Sequence, residues 1–548
     1  MKNTILIISG LFLLFTQISL AQSNKLTHKE DKLMGKRVDG EMLNILVGNV
    51  KFTQPKTIIH CDSAIFYNKK NSLEAFGHVR IIDLVDSVVI TSKTLTYDGN
   101  TRKAHFREKV VYTSDSVILK TDFLDYDMIN RSANYFNGGN VNDGTNKLKS
   151  VKGFYDTQAQ VVTFEGTVHA TNPNYILEAE NLIYNIVTKI ATINSPNTIT
   201  HENGSVLHAE IGSEFNMQRN TRQFLDTEIE SESYILEGED IFWDAILSIY
   251  TATGNVKLTY KEEEVIITGD KAVSYELLDV TYVFGNAVMK KHVKQDTMYL
   301  SADTLIFIDD TVAARKRLLA YPDVRMYKKG LQGRSDSLAY HVADSIIHFY
   351  QDPIMWNQQT QITADSIDVT IRGNLIDKMY TKYKSFIIAV DSVGNYNQIK
   401  GRKMTAHFVD NLLSSIDVNG NGESIYFAWD DDAQVTMGMN SILCSDMKIR
   451  LVNNEVDNIT FLTSPEGKFI PPFELKEDET RLRGFEWRDS ERPEIWEVLR
   501  LERHDYYKKY FNLDVEPIEV QETVNSEAVE ILKKKRELKS PVLKQENQ

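Results

Sequence analysis

Apolar and polar residues alternate one by one through most of this chain. In Leu73–Ile81 the apolar positions are Leu73, Ala75, Val79 and Ile81. In Val162–Ala170 they are Val162, Phe164, Val168 and Ala170, and in Tyr250–Leu258 they are Tyr250, Ala252, Val256 and Leu258. A period of two is that of half-buried strands, whose side chains point to opposite faces in turn. Each such run follows a second strand-like run whose phase breaks. In Tyr175–Tyr184, Leu177 and Ala179 share one parity, Leu182 and Tyr184 the other, and the slip falls at Glu180. A one-residue slip within a strand marks a bulge or corner. It predicts a strand that folds over so that both arms line one interior, with the corner acid facing out or binding backbone amides. Gly77, Gly166, Gly254 and Gly285 fall in phase with the apolar set. They are expected on the buried face, where they leave room or let the strand bend. Polar breaks such as Asn68–Asn71 and Asp98–Thr101 read as hairpin turns and favour antiparallel neighbours.

The two runs form a unit that recurs. Its aromatic position is filled by Phe66, Tyr97, Tyr126, Tyr155, Tyr184, Phe215, Trp243, Tyr275, Phe307 and Tyr340, at steps of 31, 29, 29, 29, 31, 28, 32, 32 and 33 residues. Acids stand four residues before six of these ten: Asp62, Asp122, Glu180, Glu239, Asp303 and Asp336. Self-similarity at such a period belongs to solenoids and related arrays.

In chain order, Lys2, the apolar stretch Ile5–Phe15 and the small residues Ser19–Ala21 read as an export signal, residues 1–21. The stretch is too short for a membrane helix. Lys25–Phe52 enters the array, which extends to about residue 470, and Asn419–Gly422 reads as a turn. Tyr380–Asn397 reads as a longer irregular stretch. After Pro471 and Pro472 the pattern changes. Pro493 suits a first helical position, and Glu494–Phe511 reads as an amphipathic helix, with a second at Ser526–Lys539 ending in a basic run. Residues 471–548 are therefore expected to be a helical tail that caps the array's end or docks a partner.

Composition narrows the class. Tyr, Phe, Ile, Val and Thr are abundant, Pro is scarce, and the net charge is −15 over 548 residues. That is β-biased, and the negative balance argues against nucleic acid. Cys61 and Cys444 lie in units far apart, so two inert thiols are expected rather than a disulfide. The 12 histidines are scattered, without metal-ligand spacing, and no cofactor is implied.

The unit "apolar-x-Ala-Asp-x-apolar-x-Tyr … Ala-x-Gly-x-Val-x-apolar" resembles the OstA-like family. That family includes LptA-type periplasmic lipopolysaccharide bridges and the amino-terminal domain of LptD-type outer-membrane translocons. The matching stretches are Cys61–Tyr67, Ala302–Phe307, Ala364–Val369 and the Gly-x-Val segments. The resemblance covers most of residues 46–370 and weakens from there to about 470. It implies an all-β fold, an elongated, V-shaped antiparallel β-jellyroll repeat array with a small helical C-terminal tail, carrying lipid A acyl chains in an apolar interior. It also implies a periplasmic protein, association with the outer membrane being open, and partners among the other jellyroll components at both membranes. This chain departs from the family in the length of its array, and after residue 470 it has no room for the translocon's barrel. Two dozen strands would span ~60–120 Å.

On that reading the candidate groove-lining residues are Val79, Ile81, Phe164, Val168, Ala252, Val256, Leu258, Val283, Ala287 and Met289. The terminal units, residues 42–67 and 425–462, would carry open edges for partner docking or head-to-tail self-association. Two alternatives remain. One is a parallel β-helix enzyme on carbohydrate, with Asp309–Asp310 or Asp430–Asp432 as paired acids. The other is a structural or adhesive surface solenoid. The expectation is no enzyme, because acids recur along the repeat rather than gather in one place.

Overall fold

The computed structural model describes residues 25–511, apart from 39, 115, 262–263, 294–295, 311, 374, 431–434 and 453–454. The export signal and the Ser526–Lys539 helix expected above lie outside the described residues. Strands run from Thr27 to Ile470 and join into one sheet whose pairings are antiparallel. This is the expected elongated jellyroll, and a parallel β-helix falls with it. No described helix is long and apolar enough to cross a membrane.

Each long strand bends at its middle. In the strand Val161–Thr171 the ladder shifts between Glu165 and Val168, so that Gly166 and Thr167 stand against the single residue Glu180 of Tyr175–Asn185. Two residues against one is a bulge, which kinks the strand. It keeps the inward phase on the longer side and flips it on the shorter, which accounts for the slip at Glu180. Equivalent shifts fall at Phe76/Val79, Thr253/Val256 and Phe284/Ala287. Asn419–Gly422 is another such corner, inside the strand Leu412–Asp430, and not the turn between strands expected. The stretch expected to be irregular is mostly one strand, Leu375–Val390, with its corner at Tyr383 and Lys384.

The corner glycines correct the expectation in another way. Gly77, Gly166, Gly254 and Gly285 are half-buried and have φ of 72°, 74°, 76° and 67°. At Gly77 and Gly254 an added Cβ would fall 2.3 Å from the carboxylate of Asp62 or Glu239. Glycine is there for the left-handed backbone and for the acid packed over it, not to make room in the interior. The next residue secures that acid: His78 bonds Asp62 at 2.8 Å and Asn255 donates to Glu239 at 2.6 Å. At another corner Asp122 accepts the Lys109 backbone N–H at 3.0 Å.

The sheet's ends also differ from expectation. Glu41–Gln54 is covered by Lys32–Val38 and Thr27–Lys29, so the amino-terminal edge belongs to residues 27–38 rather than 42–67. Glu455–Leu462 and Glu466–Ile470 close the other end. Cys61 and Cys444 are free and buried, and burial, with Asp62 nearby, pushes the Cys61 thiol up to about 12.

The single helix expected over residues 494–511 is divided in two, and residues 471–511 lie along a wall rather than over the array's end. Two short helices, α1 (Ile495–Val498) and α2 (Arg503–Phe511), follow an extended strap. The strap runs back along the outer face of one wall. Three buried glutamines from that face grip it. Gln398 accepts from the Leu482 N–H and donates to the Thr480 carbonyl, both at 2.8 Å. Gln361 accepts from the Arg488 N–H at 2.7 Å and donates to the Glu486 carbonyl at 2.8 Å. Gln332 accepts from Arg492 Nε at 2.8 Å. Farther along, Arg500 binds Asp323 at 3.1 Å.

Candidate functional site

Following the ladder from strand to strand traces one inward row. It passes Phe66, Leu73, Tyr97, Ala104, Tyr126, Ala133, Tyr155 and Val162. It goes on through Tyr184, Ala191, Phe215, Arg222, Trp243, Tyr250, Ser274, Thr281 and Phe307 to Leu318 and Tyr340. Nine of the ten repeat aromatics named above therefore stand in a single file. Tyr275 does not. It pairs with Ile249 and Val280 on the opposite face, and Ser274 takes the inward place.

All ten candidate residues are buried within one contiguous core: Val79, Ile81, Phe164, Val168, Ala252, Val256, Leu258, Val283, Ala287 and Met289, the most exposed being Leu258 at 8%. The two walls close on each other there. Farther along the array a cavity between Ile387, Ile399, Ile416 and Ile449 measures about 30 Å³, room for one water but not for a hydrocarbon chain, whereas one of about 560 Å³ opens near the turns, among Asp296, Lys328, Asn357, Ile376 and Leu412.

The walls meet at two rows of turns. An 11-residue strand laid straight would separate its ends by ~35 Å, yet turns from opposite sheet edges touch. Near the amino terminus they are clasped by polar groups. Gln54 donates to the Gly99 carbonyl at 2.8 Å and accepts from the Tyr97 hydroxyl at 2.5 Å. Arg102 donates to Thr57 at 3.1 Å. The Tyr126 hydroxyl lies 3.0 Å from Asp83 and 3.1 Å from Asp86, and Arg131 pairs with Asp86. Burial, reinforced by those two carboxylates, raises the Tyr126 phenol, so it stays a donor. The residue after each aromatic begins the turn. Asp98, Asp127, Asp156, Asn185 and Asp244 each accept two backbone N–H groups of their own turn. This aromatic-then-Asx pairing is visible in the sequence, and the reading above missed it.

Farther along, the contacts across the mouth are aromatic. The Arg222 guanidinium lies 5.9 Å from the Tyr175 ring of the opposite wall, and Tyr260 lies 6.4 Å from Phe307. Tyr175, Tyr184, Tyr234, Trp243, Tyr250 and Tyr260 are half-buried. Among the described residues no cluster of His, Cys, Asp and Glu could hold a metal ion.

Comparison with known proteins bears out the family resemblance. Residues 22–180 match the family described as OstA-like protein, and residues 267–374 match that described as LptA/(LptD N-terminal domain) LPS transport protein. Among solved structures the chain is similar to LptH, described as the LptA homologous periplasmic component of the conserved lipopolysaccharide transport device from Pseudomonas aeruginosa. Identity is 12%, over 22% of this chain and 82% of that one, with a TM-score of 0.19. A likeness of that size carries no argument about this chain. No curated protein matches it.

Proposed function

From a chain that is OstA-like over residues 22–180 and LptA-like over residues 267–374, we propose a periplasmic bridge that carries lipopolysaccharide between the inner and outer membranes, its acyl chains held between the two walls. The observation that carries this reading is the unbroken inward file from Phe66 to Tyr340, with all ten candidate positions in one continuous apolar interior. Exposing an acyl chain to water costs roughly 0.8 kcal/mol per methylene. A repeating interior removes that cost at every register, and nearly equal affinity from unit to unit keeps the path flat. An upstream energy source drives the lipid along it.

Because the walls are closed over the ten candidate positions, the lipid enters there by parting the two rows of turns. The hinge is the file of corners, where paired left-handed residues such as Gly254 and Asn255 (φ 76° and 47°) concentrate the bend. The edges at residues 27–38 and 455–470 then dock partner jellyrolls by strand addition.

The test is photo-crosslinking in cells, with a crosslinking residue placed at Val168, Val256 or Ala287 and at Lys257 as the control. Lipopolysaccharide adducts at the three interior sites and not at Lys257 are expected. A folded protein without adducts at any of the three would return the scaffold reading.

A further inference from the structure

Among the described residues Arg222 is the one charged member of the inward file from Phe66 to Tyr340. It stands between Phe215 and Trp243, half-buried, at the mouth of the second group of turns. Its guanidinium lies 4.2 Å from the Trp243 ring centre and 5.9 Å from that of Tyr175. Trp243 stacks on Tyr250 at 5.3 Å with the planes 2° apart, and Tyr175 packs edge-on to His201 at 6.3 Å.

Several other arginines beside buried surface are paired with carboxylates. Arg131 has Asp86, Arg325 and Arg500 have Asp323, and Arg488 has Glu491. No ion pair or hydrogen bond engages the Arg222 guanidinium among the described residues, whose surroundings are rings. Ring faces attract a cation but offer it no acceptor for its N–H fork. The acid beside these rings is Glu276, near Tyr234, Tyr250 and Trp243; burial raises its carboxyl, with a hydrogen bond from Trp243 opposing the shift, and it makes no ion pair with Arg222 among the described residues. Burial likewise lowers the Arg222 guanidinium, as a cation short of a counter-charge requires.

A planar N–H fork matches phosphate, and phenol and imidazole groups at its side add donors. Apolar walls lie on the inner side of this position and solvent on the outer. We propose that Arg222, caged by Tyr175, Trp243 and Tyr250, receives the phosphate of an amphiphile whose acyl chains lie in the interior. The site rests on the conduit reading and adds a fixed station to an otherwise even path. A lipid passing along the interior would pause where its charged group meets Arg222.

The experiment measures retention by the full chain of phosphatidic acid and of diacylglycerol with the same acyl chains, with and without inorganic phosphate. The expected result is about tenfold tighter retention of the phosphorylated lipid. Arg222→Gln is expected to erase that preference, with Arg222→Lys keeping most of it. Competition by inorganic phosphate would show that the phosphate group alone is read. A preference that free phosphate does not disturb would show that the acyl chains seat the headgroup. Either supports the site. Equal retention of both lipids by the unaltered chain, or a preference that survives Arg222→Gln, would overturn the site and leave the conduit standing. Failure to retain either lipid would overturn both.

Discussion

The turns of residues 52–157 and those of residues 175–282 close the same fold over the same inward file by different chemistry. In the first group Tyr97 and Tyr126 are 0% and 1% exposed, and their hydroxyls are held by Gln54, Asp83 and Asp86 from the opposite edge. In the second, the equivalent Tyr184 and Trp243 are half-buried, and the opposite edge answers with Tyr175 and Tyr260. Three bonds of the first group, Gln54–Gly99, Thr57–Arg102 and Asp86–Arg131, and a fourth just before it, Leu26–Asn71, join residues 45 apart. The clasp therefore repeats along this part of the array. A buried polar clasp resists parting because opening strands several groups without partners at once. Ring contacts open gradually and lie flat against hydrocarbon. If the walls part as proposed, the first group is the firm part of the mouth and the second the yielding part.

The largest effect expected is that of Tyr126→Phe. It removes a bond to buried carboxylates and should cost about 2 kcal/mol. Hydrogen exchange should speed across Val88–Asp98 and Val117–Asp127 and remain unchanged beyond residue 200. Next are Gly77→Ala and Gly254→Ala, one in each group. Both place a side chain in a left-handed backbone beneath an acid, at φ 72° and 76°. Each should cost about 1–2 kcal/mol, measured by denaturant unfolding. Equal losses would show that the groups share their corners and differ only at the mouth. A loss confined to one would break the comparison.

The third prediction concerns acid. Burial pushes the Asp127 carboxyl up, but hydrogen bonds from Asn130 and Ile129 and the charge of Lys103 outweigh it and hold it below the usual carboxylate range. A carboxylate with a depressed folded pKa gives stability that is complete above its unfolded value, ~3.9, and lost as pH falls through the lower folded value. The equivalent turn of the second group begins with Asn185, an amide that does not titrate. As pH falls below about 4, the turn at 127–131 should therefore loosen while that at 185–189 does not, as read by peptide-resolved exchange corrected for intrinsic rate. The smallest effect is that of Tyr184→Phe, expected to stay within about 0.5 kcal/mol. A loss there as large as at Tyr126 would mean that the second mouth is also held by its hydroxyls.

The file and its corners were legible because both are written in local periodicity. Alternation put Val168 and Val256 inside, and the parity slip at Glu180 marked a bulge that the ladder places opposite Gly166 and Thr167. Tyr275 misled because a period near 30 tolerates a one-residue offset, while inward direction does not. The corner glycines misled for a related reason. Counting by twos runs straight through a two-residue bulge, so they seemed to belong to the apolar set. The clasp was hidden because its partners lie 45 residues apart. The strap was hidden more deeply. Gln332, Gln361 and Gln398 sit at outward positions where sequence favours a solvated amide, and what buries them is 82–160 residues away.

Those glutamines make the strap a ruler. Along the wall, Gln332, Gln361 and Gln398 are each two strands apart, through Trp356 and Ile388. That sets the grips ~9–10 Å from one another. The strap's own steps, from Leu482 to Arg488 to Arg492, must match that spacing in reverse chain order. An array that gained or lost a pair of strands between residues 332 and 398 would put the grips out of step. The strap is also synthesised after the wall it reads, so it seats only on strands already in register. Its docking thus inspects a finished piece of the array, giving a one-dimensional fold that could otherwise tolerate slippage a fixed count at one end.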